Sequence, residues 1–158
     1  MNWRLRLEPV LRPAIRLGFR LTRAMTLGVR GLVTDERGWV LLVEHSYTPG
    51  WHLPGGGVER GESCEVALRR ELAEEAGVAP IGPARLIRVD NDESRFRGDH
   101  VLLYRIDRWA PCVRASDGEI LRVDWFDPAH PPAGTTSDTL SRIAAGLGWP
   151  GDRGAPIT

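Results

Sequence analysis

Three carboxylates in one short stretch, Glu71, Glu74 and Glu75, are spaced i, i+3 and i+4. On an α-helix, at about 100° per residue, they share an arc of roughly 100°. Like charges so close weaken an isolated helix, and positive charge from elsewhere has to offset them. A hard divalent cation such as Mg²⁺, with its preference for oxygen ligands, supplies that charge. The competing reading is a solvated acidic face, the usual fate of a charge run.

The surroundings favour the cation. Gly56, Glu62, Arg70, Glu71, Leu72, Glu74, Glu75, Gly77 and Val78 fit the pattern G-x5-E-x7-R-E-U-x-E-E-x-G-U, with U aliphatic, and no position departs from it. This stretch resembles the signature of the Nudix hydrolases, and the wider resemblance runs from a first strand near Thr26 to about Pro132. The resemblance implies an α/β/α sandwich with a mixed β-sheet. It also implies metal-dependent cleavage of a diphosphate, in a nucleoside triphosphate or a nucleoside diphosphate linked to another group.

A diphosphate repels anionic nucleophiles, so its hydrolysis needs charge neutralised and a water activated. By resemblance Glu74 and Glu75 are the main ligands of Mg²⁺, with Mn²⁺ as a substitute. Glu71 is a ligand or a base, and the Gly55 carbonyl adds a contact. Glycines at 55–57 let backbone approach an ion or a phosphate. Arg70, beside the acidic face, is expected to pair with one of these carboxylates and orient it. Glu62 either supports a ligand or its loop, or only stabilises a helix N-terminus.

By resemblance a fourth acid from a facing segment, a metal ligand or catalytic base, is expected at Glu119, which opens EILRVDWF; Asp99, Glu93 or no such acid are the alternatives. Trp51 and Tyr47, flanking the loop before the signature, offer faces on which a base stacks, against a plain packing role. His45, His52, His100 and His130 show no metal-like spacing and read as surface or packing residues.

The chain has 158 residues, enough for one domain with a real core, and a formal net charge of zero, which argues against a general polyanion binder. All 21 basic residues are arginine, so no lysine nucleophile exists. Two cysteines at no ligand spacing suggest a reducing compartment. Without a long apolar run or a signal-like stretch, the cytoplasm is the expected location.

Residues 1–25 form an arginine-striped segment whose apolar residues fall on the opposite face of a helical wheel. It is expected to dock on the domain or a second copy in a homodimer, with a membrane surface or RNA as alternatives. A catalytic domain is expected over 26–145 and a poorly ordered tail over 146–158. Strands are expected near Thr26–Val33, Trp39–Glu44, Leu86–Asp90, Val101–Trp109 and Ile120–Phe126. The central helix should start at an N-cap on Ser63 and run to Ala76, with Gly77 ending it in the left-handed conformation. A second helix, capped by Ser137 or Asp138, should reach about Ala145.

The small-molecule reading is a nucleotide pyrophosphohydrolase. The alternatives are an RNA 5′-end pyrophosphohydrolase, a non-catalytic nucleotide-binding regulator, and an isomerase of isoprenoid diphosphates.

Overall fold

The computed structural model describes residues 26–91, 98–115 and 118–149. The segment 1–25, the loop with Glu93 and residues 150–158 of the tail lie outside that range. Alternating residues of TLGVRGLV form β1 (Thr26–Val33), followed by β2 (Val40–His45) and the short β3 (Trp51–His52). Asp35 closes the turn between β1 and β2 by accepting from the Arg37 and Trp39 N–H groups at 2.9 and 2.8 Å. Helix α1 (Cys64–Glu71) continues into a π-helical turn (Leu72–Ala76). Strands β4 (Val78–Pro80), β5 (Arg85–Asn91), β6 (Asp99–Ile106), β7 (Trp109–Pro111) and β8 (Ile120–Phe126) precede α2 (Ser137–Leu147).

The strands make a mixed sheet β1-β6-β5, an antiparallel sheet β3-β2-β8 and a β4-β7 pair. β1 runs parallel to β6, and β5 antiparallel to it. Side chains alternate across each strand and so divide the core in two. Val29 and Val33, Leu41, and Tyr104 and Ile106 gather on one side with Ala67, Leu68 and Leu72 of the α1 region. Leu32, Val40 and Leu42, and Leu103 gather on the other with Ile143 of α2. A helix on each side of the strands is the expected α/β/α sandwich.

Three expectations need correction. The strand expected to run through Trp109 stops at Ile106, because Asp107 is held by Thr34 Oγ1 and Arg105 Nε and the chain turns there. Trp109–Pro111 then pairs with β4. Thr136, one residue before the expected positions, caps α2 by accepting from the Thr139 N–H at 3.3 Å. The helix also passes Gly146, which is buried so close to Leu32 that a Cβ there would lie 2.2 Å from its Cδ2. The helix ends at Leu147, two residues beyond Ala145. No helix among the described residues is long and apolar enough to cross a membrane.

Candidate active site

The loop before α1 lies along β1 as an irregular extra strand. Val29 and Gly31 donate to the carbonyls of Gly56 and Pro54, both at 2.9 Å, and Val58 donates to Leu27 at 2.8 Å. The approach is so tight that a Cβ on Gly55, where φ is +139°, would lie 2.1 Å from the Val29 carbonyl oxygen. A Cβ on Gly56 would lie 2.5 Å from Glu71 Oε1. Residues with side chains would therefore push the loop off both β1 and the acidic helix.

Ser63 caps α1 as expected, accepting from the Val66 N–H at 3.3 Å, and Gly77 ends the helical stretch at φ 66°. The last turn is π-helical rather than α-helical and carries Glu74 and Glu75, a departure often found at functional sites. The two neighbours meet different surroundings. The Glu75 side chain is 12% exposed and the Glu74 side chain 45%.

Glu75 accepts the Gly55 N–H at 2.8 Å, and its other oxygen lies 3.7 Å from His45 Nδ1. Burial pushes its carboxyl up to about 7; the Gly55 N–H and the Arg30 charge oppose that rise, and the charges of Glu71 and Glu119 add to it. Loss of hydration is thus the main reason that its charged form is disfavoured.

Arg70 gathers the remaining acids. Its Nε and Nη2 reach the two Glu62 oxygens at 3.0 and 3.1 Å, and Nη1 reaches Glu71 at 2.7 Å and Glu74 at 3.4 Å. Nη2 also donates to the Gly57 carbonyl at 3.1 Å. Arg70 thus ties the helix to the loop, and Glu62 is the partner that fixes Arg70. This bond to Arg70 holds the Glu62 carboxyl below the ordinary glutamate range, helped by the Glu59 N–H. The guanidinium is in turn held more firmly protonated, first by Glu62 and then by Glu71.

A cavity of about 530 Å³ opens beside this network. Its walls include Gly55, Arg30, His45 and Tyr47 on one side and Thr139 and Arg142 of α2 on the other. Glu75 touches two of these lining residues, Gly55 and His45. Glu119 is exposed, its carbonyl accepts the Ser46 N–H at 2.8 Å, and its charge acts on both Glu75 and Tyr47. Asp99 sits on the cavity wall, bonded to Thr26 Oγ1 at 2.7 Å.

The paired aromatic residues separate. Tyr47 is 65% exposed at the cavity, its ring tilted against His45 at 5.1 Å. Trp51 is in the core instead: its ring is buried edge-on to Phe126 at 4.7 Å, with the Arg122 guanidinium 4.9 Å from its centre. At 6% exposure the indole is not among the residues that line the cavity.

Residues 25–143 match the NUDIX domain family. The chain belongs to the Nudix hydrolase family. It is 32% identical to the 8-oxo-dGDP phosphatase NUDT18 of Danio rerio over 108 residues, 68% of this chain and 33% of that protein. It is 51% identical to the RNA pyrophosphohydrolase of Caulobacter vibrioides over 49 residues, 30% of this chain and 28% of that protein. The chain thus spans about a third or less of the length of these curated relatives. The solved MutT NUDIX hydrolase from Burkholderia pseudomallei superposes with a TM-score of 0.65 at 25% identity, over 76% of this chain and 96% of that one.

Nudix hydrolases generally use divalent metals, and the donors here suit one. The Glu71, Glu74 and Glu75 carboxylates and the Gly55 carbonyl are hard oxygen donors, and Glu75 is buried beside the glycine loop, bonded to its Gly55 N–H. Among the described residues no three His, Cys, Asp or Glu side chains are gathered into an ion site. Arginines hold the donors instead: Arg70 takes Glu71 and Glu74, and Arg30 Nη1 takes the Gly55 carbonyl.

Two residues of this Nudix site escape the sequence reading. Arg30 interrupts the apolar pattern of β1, the one available signal for it. His45 is the buried end of β2, 5% exposed, and nothing in its spacing distinguishes it from a packing histidine.

Proposed function

We propose that the protein is a Mg²⁺-dependent pyrophosphohydrolase that cleaves a diphosphate linkage in a nucleoside triphosphate or a nucleoside diphosphate derivative by water attack on phosphorus. The observation that carries this reading is Glu75, a buried carboxylate bonded to the glycine loop that lines the cavity and lying beside the acids that Arg70 gathers. A solvated acidic face has no reason to bury two of its members, Glu71 and Glu75.

Glu71, Glu74, Glu75 and the Gly55 carbonyl would hold the cation, with Mn²⁺ as a substitute. Bound there, it would supply charge neutralisation for the diphosphate and a lowered pKa for the attacking water. Arg70 orients Glu71 and Glu74 from behind and does not reach the substrate. Glu71 or Glu119 accepts the proton of the attacking water as the bond from phosphorus to its leaving oxygen breaks. Tyr47, at the exposed rim, offers its ring to the base, and the α2 wall encloses the rest of the nucleotide.

Phosphate and pyrophosphate release over a panel of nucleotides, with Mg²⁺ or Mn²⁺, tests the reading. The panel includes oxidised guanine di- and triphosphates, because one relative is named for such a substrate, and a 5′-triphosphorylated RNA, because another is named for RNA. Turnover of at least one nucleotide only with a cation is expected. Release from the RNA alone would replace the small-molecule reading, and no turnover of any member would reject hydrolysis.

A further inference from the structure

Arg30 occupies an oxygen that this site has another use for. From the middle of β1 its Nη1 donates to the Leu53 carbonyl at 3.2 Å and to the Gly55 carbonyl. The same residue lines the cavity, and its charge reaches Glu75. The Gly55 carbonyl is also a donor proposed for the cation, on which reading this inference rests. Arginine stays protonated at any working pH, so it can leave that oxygen only by moving. Two positive groups on one carbonyl in a half-buried site repel strongly.

We propose that Arg30 is an exchangeable counter-ion. It holds the Gly55 carbonyl while the site carries no cation, yields that oxygen on cation uptake, and turns its guanidinium to the phosphates of the incoming nucleotide. A guanidinium suits this second role, since its fork of N–H donors matches phosphate oxygens. The cavity wall on which Arg30 stands gives it access to them. The same side chain would thereby link cation loading to substrate binding.

Two binding measurements on the full chain test this without relying on turnover. The first is titration with Mn²⁺ alone. Arg30→Gln should bind Mn²⁺ at least about threefold tighter than wild type, because a competing charge is gone and the carbonyl is freed. Arg30→Lys, which keeps the charge, should stay closer to wild type. The second is the Kd of a non-hydrolysable triphosphate analogue with Mg²⁺, which should rise at least about tenfold in Arg30→Gln.

Equal or weaker Mn²⁺ binding by folded Arg30→Gln would make Arg30 a fixed brace of the loop and overturn the exchange. An unchanged analogue Kd would overturn the substrate contact. Should Arg30→Gln fail to fold, the ¹⁵N side-chain resonance of Arg30 in wild type, assigned with Arg30→Lys, still decides: Mg²⁺ should shift it, and a signal that stays in place rejects the proposal. A wild type that binds no Mn²⁺ would remove the proposed function and this inference together. Tighter Mn²⁺ and weaker analogue binding by Arg30→Gln, in a protein that hydrolyses nothing, would remove the hydrolytic reading alone.

Discussion

Glu74 and Glu75 are adjacent in sequence, yet they belong to two differently built halves of one acidic face. The Glu75 half is buried between β2 and the glycine loop, with a backbone N–H as its partner and its carboxyl raised to about 7. In the other half, Glu71 and Glu74 share Arg70 with Glu62, and Glu74 is largely open to water. The first half is dehydrated by burial and the second already has an internal cation. The electrostatic strain of the site is thus concentrated at Glu75, where an external cation relieves most.

The largest expected effects come from removing charge from either half. Glu75→Gln and Glu74→Gln should each lower kcat by at least about a hundredfold, the scale of losing a positioned charged group. Stability separates them: without cation at about pH 8, Glu75→Gln should melt above wild type, because an amide relieves the buried charge, and Glu74→Gln should melt near it. Equal melting shifts would break the comparison.

Next in size is Glu119→Gln, which should lower kcat roughly tenfold and change KM less, if Glu119 accepts the proton. A neutral Glu119→Gln beside an inactive Asp99→Asn or Glu93→Gln would move the fourth acid to the segment before or within β6. Arg70→Gln should be milder. It leaves Glu62, Glu71 and Glu74 without their shared counter-charge, so the variant should melt below wild type, with kcat reduced several-fold. A melt equal to wild type would show that Arg70 orders nothing.

The last effect is a pH dependence of stability rather than of rate. Glu75 is raised from 4.5 to about 7, so folding favours its protonated form. That contribution is complete below about 4.5 and is lost as pH rises through about 7, for at most about 3 kcal/mol. Arg30, His45, Glu71 and Glu119 are the charged or titratable groups around it. Glu62, whose pKa is lowered, works in the opposite sense, and its contribution is lost only as pH falls below the ordinary glutamate range. Cation-free wild type should therefore lose stability across neutral pH, and Glu75→Gln should flatten that loss. Denaturant midpoints at a series of pH values would show it.

Features set by local chemistry were legible in the sequence. The Ser63 cap, the Gly77 stop and the Ile120–Phe126 strand each depend on neighbouring residues, and the structure has them where the spacing puts them. Features set by distant contacts were not. The π-helical turn has no local signature. Trp51 looks like a rim aromatic until Phe126 and Arg122 close on it from β8. The break after Ile106 depends on Thr34, far away in the chain, catching Asp107. The partners of Arg30 are carbonyls, and carbonyls leave no mark in a sequence.

The central claim is that this face works through a bound cation, with Glu75 as the carboxylate whose charged form burial disfavours. Its most direct test is single-turnover hydrolysis of the best nucleotide of the panel by protein verified free of metal, before and after Mg²⁺ is restored, with Glu75→Gln measured in parallel. The account predicts no release without Mg²⁺, full release by wild type once it is restored, and at most about a hundredth of that rate from the folded mutant. Undiminished release by metal-free wild type, or a wild-type rate from Glu75→Gln, would contradict it.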